Sequence, residues 1–378
     1  MKVVIAPDSY KESLTAKEVC NAIEAGFKRV FPDAEYVSVP VADGGEGTVQ
    51  SLVDATNGQL IDVELTGPLG EPVAAFFGVL GDGSNTAVIE MAAASGLHHV
   101  PPLQRDPKIT TSFGTGELIL SALETGAKRL IIGLGGSATN DGGIGMMAAL
   151  GVQFLDVHAQ PVPLNAQGLH QIESIDISKL DPRLSECELL IACDVDNPLC
   201  GSKGASAIFG PQKGATSVDI EFLDSGLLHY SNKIEQYLQV RVAQISGAGA
   251  AGGMGAAFMA FTRAIMKPGI SVVLEAVDLE SKMDNTDLVI TGEGRIDEQT
   301  IHGKTPMGVA QVAKRFSIPV IGVAGCLGSN HQVAYECGID AVFAATPRAL
   351  SLAEALENAS ENVTNLAENV ANLWRLQY

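Results

Sequence analysis

The sequence predicts an α/β fold: a Rossmann-like, doubly wound domain built from both chain ends, with an α+β domain inserted between them. Both ends of the chain alternate strand and helix patterns, whereas the middle opens with three strand patterns and no helix between them. Neither end alone has enough strands for a sheet that helices cover on both faces. We therefore expect residues 1–60 and 285–378 to share one sheet, and residues 61–284 to form the inserted domain.

The N-terminal segment has the pattern of a strand, a helix and a second strand. Residues 3–6 are a short apolar run, typical of a strand that is buried on both faces. Thr15 and Glu18 have the spacing of a capping box, which predicts that a helix begins after Thr15. The second strand is predicted at residues 36–41. The apolar stripe of the helix consists of Val19, Ile23, Phe27 and Val30.

Strand patterns continue through the middle and the C-terminal third. A helix is predicted from Pro306, because Pro suits the first helical position. Further helices are predicted at residues 116–123 and, as one long element, at residues 352–373. The remaining predicted strands are residues 63–65, 73–79, 87–91, 130–134, 189–193, 288–291, 320–324 and 341–345.

Composition indicates a folded protein whose ligands are small molecules. Hydrophobic residues make up 46% of the 378 residues and charged residues 18%, so a core can form throughout. A net charge of −20 disfavours nucleic acid and anionic membranes as partners, and no apolar run approaches the ~18 residues of a membrane span. The initial apolar run is too short for a signal peptide, so we expect a cytoplasmic protein. The six cysteines lack a C-x-x-C pair, which argues against zinc or a disulfide framework; homo-oligomer formation is left open.

Three loops follow predicted strands of the terminal domain, at residues 8–11, 43–48 and 292–304. Each contains an acid and two contain a lysine. Ligands bind beyond the carboxyl ends of parallel strands, and phosphoryl transfer needs cations on phosphate oxygens, with carboxylates for Mg²⁺ and for the acceptor hydroxyl. Ordinary turns and helix caps are the alternative. The candidates are Asp8, Ser9 and Asp43 for substrate, and Lys11 as a catalytic cation.

Lys304 lies in a near match to a known phosphate-binding loop. Gly303, Lys304 and Thr305 stand just before a predicted helix, as in a Walker A motif, but Glu298 occupies a position where that motif needs Gly. The segment is therefore not a Walker A loop. We still expect Lys304 and the N–H groups of the helix start to suit a phosphate; a solvated surface lysine is the alternative.

The middle of the chain adds a glycine-rich run at residues 133–143, between a predicted strand and a helix. Free N–H groups and small hydroxyls are the usual material of a phosphate cradle, and a structural glycine turn is the alternative. Lys213 is a second loop cation, and Asp194 ends a strand, so Asp194 and Asp43 are the candidate Mg²⁺ ligands. The cradle candidates are Gly135, Gly136, Ser137, Thr139, Asn140 and Asp141.

Two rival functions compete with a kinase. Residues 247–252 fit G-x-G-x-x-G, with a strand-like stretch at residues 242–245 before them and Glu275 about 20 residues on, as in an NAD-dependent oxidoreductase. One such match is a weak signal in a chain with 41 glycines. A non-catalytic protein that binds small acids is the other rival. Its binding site would need cations more than the carboxylates found on these loops.

Six stretches together match one known pattern: residues 6–11 (APDSYK), 42–48 (ADGGEGT), 135–143 (GGSATNDGG), 194–198 (DVDNP), 210–214 (GPQKG) and 291–297 (TGEGRID). They resemble the bacterial glycerate kinases of glyoxylate and sugar-acid catabolism, and the resemblance runs essentially from end to end. It implies ATP- and Mg²⁺-dependent phosphorylation of D-glycerate to 2-phosphoglycerate. It also implies a Rossmann-like domain made from both chain ends, with a second domain inserted.

Within that reaction, Arg295 and Asp297 are our candidates for the acceptor end. A guanidinium is well matched to the carboxylate of glycerate, so Arg295 is expected to bind it. Asp297 is then expected to orient the attacking hydroxyl as the catalytic carboxylate, with Asp194 and Lys11 as the other catalytic residues. The alternative is an Arg–Asp pair that only holds its own loop. Which loops bind ATP and which bind D-glycerate is left open.

Overall fold

The computed structural model describes residues 1–300 and 303–377, and the chain divides into two compact units. One unit combines Met1–Gly58 with the C-terminal segment that starts at Pro268, and the other is Gln59–Lys267. We call them the terminal unit and the inserted unit. Residues 268–284, which the sequence assigned to the insert, therefore fold with the terminal unit. Within the described ranges, none of the helices combines the length and apolar character needed to cross a bilayer.

The strands and helices follow one another along the chain in this order. The strands are β1 (Lys2–Pro7), β2 (Glu35–Ser38), β3 (Gln59–Thr66), β4 (Pro72–Val79), β5 (Thr86–Glu90), β6 (Arg129–Gly133), β7 (Gln153–Leu155), β8 (Ser174–Asp176), β9 (Glu188–Ala192), β10 (Ile265–Lys267), β11 (Leu288–Ile296), β12 (Val320–Leu327) and β13 (Ala341–Ala344). The α-helices are α1 (Ala16–Lys28), α2 (Thr48–Thr56), α3 (Ala92–Ser95), α4 (Phe113–Glu124), α5 (Ile144–Ala149), α6 (Ala166–Leu169), α7 (Arg183–Glu186), α8 (Ala205–Phe209), α9 (Ser217–Leu238), α10 (Ala250–Phe261), α11 (Gly269–Ala276), α12 (Leu279–Lys282), α13 (Thr305–Arg315), α14 (Val333–Glu336), α15 (Leu352–Glu357) and α16 (Ala359–Trp374).

The terminal unit is a parallel sheet with strand order β13-β12-β11-β1-β2. From β1 the chain moves to β2 at one edge, and from β11 it moves through β12 to β13 at the other. Helices α1 and α16 pack together on the face that carries Val3, Ile5 and Leu288, and α13 contacts β1, β11 and β12. The α/β fold class with a doubly wound sheet is thereby confirmed, and the switch in winding direction falls between β1 and β11.

Helix α1 begins where the sequence predicts. The Thr15 hydroxyl accepts a hydrogen bond from the N–H of Glu18 at 3.2 Å, and the Glu18 carboxylate accepts one from the N–H of Thr15 at 2.8 Å. This capping box satisfies two N–H groups that would otherwise lack partners at the helix start. The helix then buries Val19, Ile23 and Phe27 against the sheet.

The inserted unit contains a mixed sheet with order β10-β9-β6-β5-β4-β3. Strands β5, β6, β9 and β10 run parallel, whereas β3 and β4 form an antiparallel hairpin beside them. The three strands without intervening helices are therefore present, as the sequence predicts. Because β6 and β9 are parallel neighbours, the loops that follow them leave the sheet at the same edge.

Several element boundaries differ from the sequence-based predictions, three of them in the terminal unit. Strand β11 does not end at residue 291 but continues to Ile296, because β12 pairs with it as far as Leu327. The long last helix is two helices, α15 and α16, which meet at Asn358. Strand β2 ends at Ser38, although N–H groups at 39 and 41 still bond to carbonyls of β1.

Candidate active site

The carboxyl ends of β1 and β11 form the switch point of the terminal unit. The N–H of Asp8, just after β1, donates to the carbonyl of Gly292 in β11 at 2.8 Å. Glu293 follows Gly292 on β11. Since the chain winds away from this point in opposite directions, a crevice forms between the connecting loops, and ligands of doubly wound sheets bind there. The two acids are therefore placed where the fold itself provides a binding site.

Asp8 is held by neighbours on two sides. Its Oδ2 accepts a hydrogen bond from the hydroxyl of Thr305 at 2.6 Å, and its Oδ1 accepts one from the N–H of Ser9 at 2.6 Å. Burial raises the pKa of Asp8 from 3.8 to about 6, the hydrogen bond from Thr305 opposes that rise, and the charges of Asp43 and Glu293 add to it. A carboxylate kept ionised near neutral pH despite this cost is a candidate functional group.

Glu293 is the second acid at this point, and it is only 9% exposed. Its Oε1 accepts a hydrogen bond from the Thr300 hydroxyl at 2.7 Å, and its Oε2 lies 3.2 Å from the Lys304 ammonium. Burial raises the pKa of Glu293, against the lowering effect of Thr300 and Lys304. Lys304 is the residue just before α13, and its side chain lies beside Glu293 rather than capping the helix. Ile301 and His302 of the same loop lie outside the described residues.

Asp43, Ser9 and Lys11 complete this group. Asp43 is half-buried, and its Oδ1 accepts a hydrogen bond from the N–H of Gly45 at 3.0 Å. Its negative charge acts on Asp8, so the two carboxylates are near each other. Ser9 and the exposed Lys11 line an open cleft of about 550 Å³. The structure thus brings together the sequence-predicted Asp8, Ser9, Asp43, Lys11 and Lys304 in the terminal unit.

Sequence reasoning missed two members of this site, Glu293 and Thr305. Glu293 stands between two glycines and was counted as part of a loop, but it lies within β11, which is otherwise nearly all buried. An acid inside a buried strand was the signal that could have found it. Thr305 was noted only as part of the near match to a Walker A loop, and the sequence did not indicate its bond to Asp8, which is 297 residues away in the chain.

Arg295 and Asp297 contact each other rather than standing apart. Arg295 belongs to strand β11, and its Nε lies 3.0 Å from Oδ2 of Asp297. Asp297 also accepts a hydrogen bond from the N–H of Gln299 at 2.9 Å. Arg295 is 62% exposed and Asp297 is 15% exposed. The pair therefore holds its own loop, and it presents the guanidinium to solvent.

In the inserted unit, the glycine-rich run follows β6 and is fastened to the segment after β5. The N–H of Ala138 donates to the carbonyl of Ser95 at 2.9 Å, and the N–H of Leu97 donates to the carbonyl of Gly136 at 2.8 Å. Gly135 and Gly136 are exposed, whereas the residues from Ser137 onward are buried. The exposed part of the loop is thus limited to Gly135 and Gly136.

Most polar side-chain atoms of this loop have internal hydrogen-bond partners, whereas Oγ1 of Thr139 and Oδ1 of Asn140 are buried without one. Asp141 is fully buried and accepts hydrogen bonds from the N–H and the hydroxyl of Ser112 at 2.9 and 2.7 Å and from the N–H of Gly143 at 3.0 Å. The amide of Asn140 donates to the Ser206 hydroxyl at 3.0 Å. These contacts stabilise the loop from below, and the carboxylate of Asp141 faces N–H and O–H donors of its own unit.

Lys213 is also buried beneath the loop, with 2% of its surface exposed. Its ammonium donates to the Ser137 hydroxyl at 2.7 Å and to the carbonyl of Thr139 at 2.6 Å. Burial lowers the pKa of Lys213 from 10.5 to about 7, and the charge of Asp141 only partly offsets this. The lysine therefore ties two turns of the glycine-rich loop together.

Replacing Lys213 by Met should change how stability depends on pH. Between about pH 7 and pH 10 the unfolded lysine holds its proton while the folded one loses it, so the free energy of unfolding of the wild type should rise with pH across this window. The rise is limited to about 5 kcal/mol, since one pKa unit corresponds to ~1.36 kcal/mol. Urea denaturation at several pH values should show this rise in the wild type and its loss in Lys213→Met. Lys203→Met, at an exposed lysine of the same unit, is the matched control and should keep the wild-type slope; a normal slope in Lys213→Met would contradict the argument.

Asp194 lies two residues beyond β9, at the edge where the glycine-rich loop also leaves the sheet. It is exposed. The N–H of Cys193 donates to the carbonyl of Lys267 at 3.0 Å, which directs the chain outward at this point. The two sequence-predicted Mg²⁺ ligands therefore belong to different units: Asp194 to the inserted unit, and Asp43 to the terminal unit.

The G-x-G-x-x-G match at residues 247–252 lacks the structural setting of a dinucleotide site. The predicted strand at residues 242–245 is absent, and these residues form turns instead. At Gly252, where φ is +66°, a Cβ would lie 2.0 Å from the carbonyl oxygen of Thr139. The glycine is needed because the chain packs directly on the glycine-rich loop. The observation on which the oxidoreductase alternative depended is thereby overturned.

Comparison with known proteins agrees with the motifs. The family model described as "Glycerate kinase family" matches residues 3–375. The chain belongs to the glycerate kinase family. Among its relatives, a glycerate kinase of Bacillus subtilis (strain 168) is 57% identical over 98% of this chain and 97% of its own length. A glycerate 2-kinase of Escherichia coli (strain K12) is 56% identical with the same coverage.

A solved structure supports the same family assignment. A crystal structure described as "putative glycerate kinase 2" from Salmonella typhimurium LT2 is 55% identical to this family member. It superposes with a TM-score of 0.93 over 100% of this chain and 99% of its own. The α/β architecture described above is therefore shared with a crystallised relative along the whole chain.

Proposed function

We propose that this glycerate kinase family member transfers the γ-phosphoryl group of ATP to a hydroxyl of D-glycerate, giving 2-phosphoglycerate and ADP. The observation that carries the proposal is the group of acids and lysines at the switch point of the terminal unit. Asp8, Asp43 and Glu293 supply carboxylates, and Lys11 and Lys304 supply cations. Phosphoryl transfer is mainly a matter of positioning and charge stabilisation, and it needs both kinds of group. An ATP-consuming reaction also fits the cytoplasmic location expected from the sequence.

The residues at the switch point fit Mg²⁺ together with ATP. The described residues contain no set of three or more His, Cys, Asp or Glu side chains placed to hold a metal ion. That suits Mg²⁺, which is usually bound by one or two carboxylates together with substrate phosphates and water. Asp8 and Asp43 would hold the ion, which when bound neutralises charge on the phosphate oxygens. We assign Lys11 and Lys304 to the phosphate oxygens and Ser9 to substrate.

The acceptor end is assigned to Arg295 and Asp297. Arg295 is exposed and carries the cation that the carboxylate of glycerate needs, and Asp297 holds that guanidinium in place. The glycerate hydroxyl oxygen forms a bond to the γ-phosphorus, the bond from phosphorus to the leaving ADP oxygen breaks, and the hydroxyl proton passes to a carboxylate, which we assign to Asp297.

In the inserted unit we propose a supporting role for the glycine-rich loop. The exposed N–H groups of Gly135 and Gly136 are its anion-binding part. Lys213 and Asp141, with Ser137, Thr139 and Asn140, shape the loop, because their polar atoms are bonded or buried inside the unit. Asp194, exposed at the same edge of the inserted unit, is proposed as a further catalytic acid.

The reaction is tested by following ADP release over a series of small hydroxy acids, with and without Mg²⁺. We expect release with D-glycerate and Mg²⁺, little release with L-glycerate or without Mg²⁺, and no reduction of NAD. Phosphorus NMR of the product distinguishes 2-phosphoglycerate from 3-phosphoglycerate. Binding of hydroxy acids without ADP release would favour the non-catalytic alternative and overturn the proposal.

The pH dependence of turnover tests Asp8 without removing it. In Thr305→Val the hydrogen bond that lowers the pKa of Asp8 is lost, so that pKa should rise above about 6. The acid side of the kcat/KM profile, which reports the free enzyme, should then move to higher pH, by up to about one unit if the bond contributes ~1.4 kcal/mol. Thr305→Ser keeps the hydroxyl and should keep the wild-type profile. An unchanged profile in Thr305→Val would show that Asp8 does not need to be ionised for turnover.

A further inference from the structure

A small apolar cavity lies beside Lys11 in the terminal unit, at the carboxyl edge of β11, β12 and β13. Its volume is about 130 Å³. We infer that this cavity binds the nucleobase of ATP, an adenine ring, an inference that rests on the proposed kinase function. The carboxylates and lysines of the switch point would then bind the phosphates and the acceptor, while the cavity binds the base.

The cavity is shaped as a slot between strand ends and a helix pair. On the sheet side it is lined by backbone at Gly294 and Gly325, which approach so closely that a Cβ at Gly325 would lie 2.6 Å from the carbonyl oxygen of Gly294. On the helix side it is lined by Leu356 of α15 and Ala359 of α16. The break between α15 and α16 at Asn358 lets both helices contribute to one wall. Bare backbone opposite small aliphatic side chains leaves a narrow space that suits a flat ring.

The polar groups of the cavity are few and suit a purine. The hydroxyl of Thr346 is already bonded to the carbonyl of Gly325 at 2.8 Å. Asn362, half-buried on α16, lines the cavity with a carboxamide. A carboxamide offers one donor side and one acceptor side, the combination that reads the amino group and ring nitrogen of adenine. Glycerate is a poor fit for this cavity, because Lys11 is the one cation among the described residues that line it and most of the remaining lining is apolar.

The size and position of the cavity agree with one part of a nucleotide. Pockets that hold a whole drug-sized ligand measure ~300–1,000 Å³, so about 130 Å³ suits one fused purine base with the rest of the molecule outside. Tyr10, Lys11 and Ser13 line both this cavity and the open cleft that contains Ser9. The two spaces therefore adjoin. With the base in the cavity, the phosphates of ATP would extend past Lys11 into the open cleft, toward Asp8.

Cys326 allows the cavity to be probed without measuring turnover. It lines the cavity and is exposed, whereas Cys193 and Cys337 are only half-buried and lie elsewhere. The folded protein is labelled with a maleimide for increasing times and then digested. Mass spectrometry of the cysteine-containing peptides gives the labelling rate of each cysteine. ATP and AMP at about ten times their Kd should slow labelling of Cys326 about tenfold and leave Cys193 and Cys337 unchanged. Tripolyphosphate, which has no base, should not slow it.

A filled cavity provides the kinetic counterpart. Ala355 is half-buried on the cavity wall, and Ala353 is exposed on the same helix. Ala355→Leu should raise the KM for ATP about tenfold, equivalent to ~1.4 kcal/mol, and leave the KM for glycerate unchanged. Ala353→Leu should behave as wild type. Equal protection of Cys326 by tripolyphosphate and by AMP, or an unchanged KM for ATP in Ala355→Leu, would overturn the assignment.

The outcome is separable from that of the proposed reaction. ADP release with glycerate, together with no base-dependent protection of Cys326, would overturn only the nucleobase site. Protection of Cys326 by AMP without ADP release on any hydroxy acid would support the nucleobase site and contradict the reaction.

Discussion

Asp8→Asn is expected to lower kcat about 10³-fold while the protein becomes no less stable. The substitution keeps the shape of the side chain but removes the negative charge at the switch point, and loss of one charge-stabilising group in an active site typically costs ~10²–10³ in rate. The free energy of unfolding at pH 7 should stay the same or increase. Burial and the neighbouring Asp43 and Glu293 raise the pKa of Asp8 to about 6, so its ionised form at pH 7 is a cost to the folded state.

The measurement pairs steady-state kinetics with thermal denaturation at pH 7. If the carboxylate only supported the fold, its replacement would lower the stability of the protein. If it is kept for its charge, its replacement would lower kcat. Asp33→Asn, at an exposed acid of the same unit, should change neither quantity. Near-normal kcat in Asp8→Asn would remove Asp8 from the reaction.

Local features of the fold were predictable from the sequence because they depend on neighbours in the chain. The capping box of Thr15 and Glu18 involves residues three positions apart, and the start of α13 at Thr305–Pro306 follows from the conformation of proline. The strands β3, β4 and β5 were predictable because each contains a short apolar stretch of strand length without helical spacing. These signals need no knowledge of what lies across the sheet.

The switch point could not be predicted in detail, because it depends on contacts between the two chain ends. Strand β11 continues through Glu293 to Ile296 only because β12 pairs with it there, and a glycine-flanked acid has no local preference for a strand. Thr305 becomes part of the site through one hydrogen bond to Asp8. The sequence therefore indicated which strand ends carry acids and lysines, but neither the full extent of β11 nor the partners that set the charge of each acid.

The same limit explains the glycine-rich loop of the inserted unit. In the sequence, a serine, threonine, lysine or aspartate near glycines gives the same pattern whether its polar atoms face solvent or the protein interior. Lys213 and Asp141 face inward, and burial of both became visible only with the packing of the loop on Gly252 and its neighbours. Residue type alone does not distinguish a ligand from a support.

The Arg295–Asp297 pair yields the second large expected effect, and the two residues should affect different kinetic constants. Arg295→Lys keeps the positive charge but loses the planar fork, so the KM for D-glycerate should rise at least about tenfold while the KM for ATP changes little. Asp297→Asn should lower kcat by about 10²–10⁴, the range typical of a general base, and leave ATP binding nearly intact. If the pair only holds its loop, both substitutions should instead change KM and kcat together and lower the melting temperature, because the contact at 3.0 Å would be weakened in each.

Arg315→Lys is the matched control for this pair. Arg315 is exposed and pairs with Glu280 at 3.3 Å, away from the strand ends, so its replacement should leave both Michaelis constants unchanged.

Loss of ATP affinity in both Arg295→Lys and Asp297→Asn would assign this strand end to the nucleotide. The acceptor would then be expected around Asp8 to Lys11, where Ser9 and an exposed lysine line the open cleft. The slot next to Cys326 is bordered by Gly294, one residue before Arg295. Arg295→Lys and Asp297→Asn therefore also test whether the end of β11 borders both the nucleobase site and the glycerate site or only one of the two.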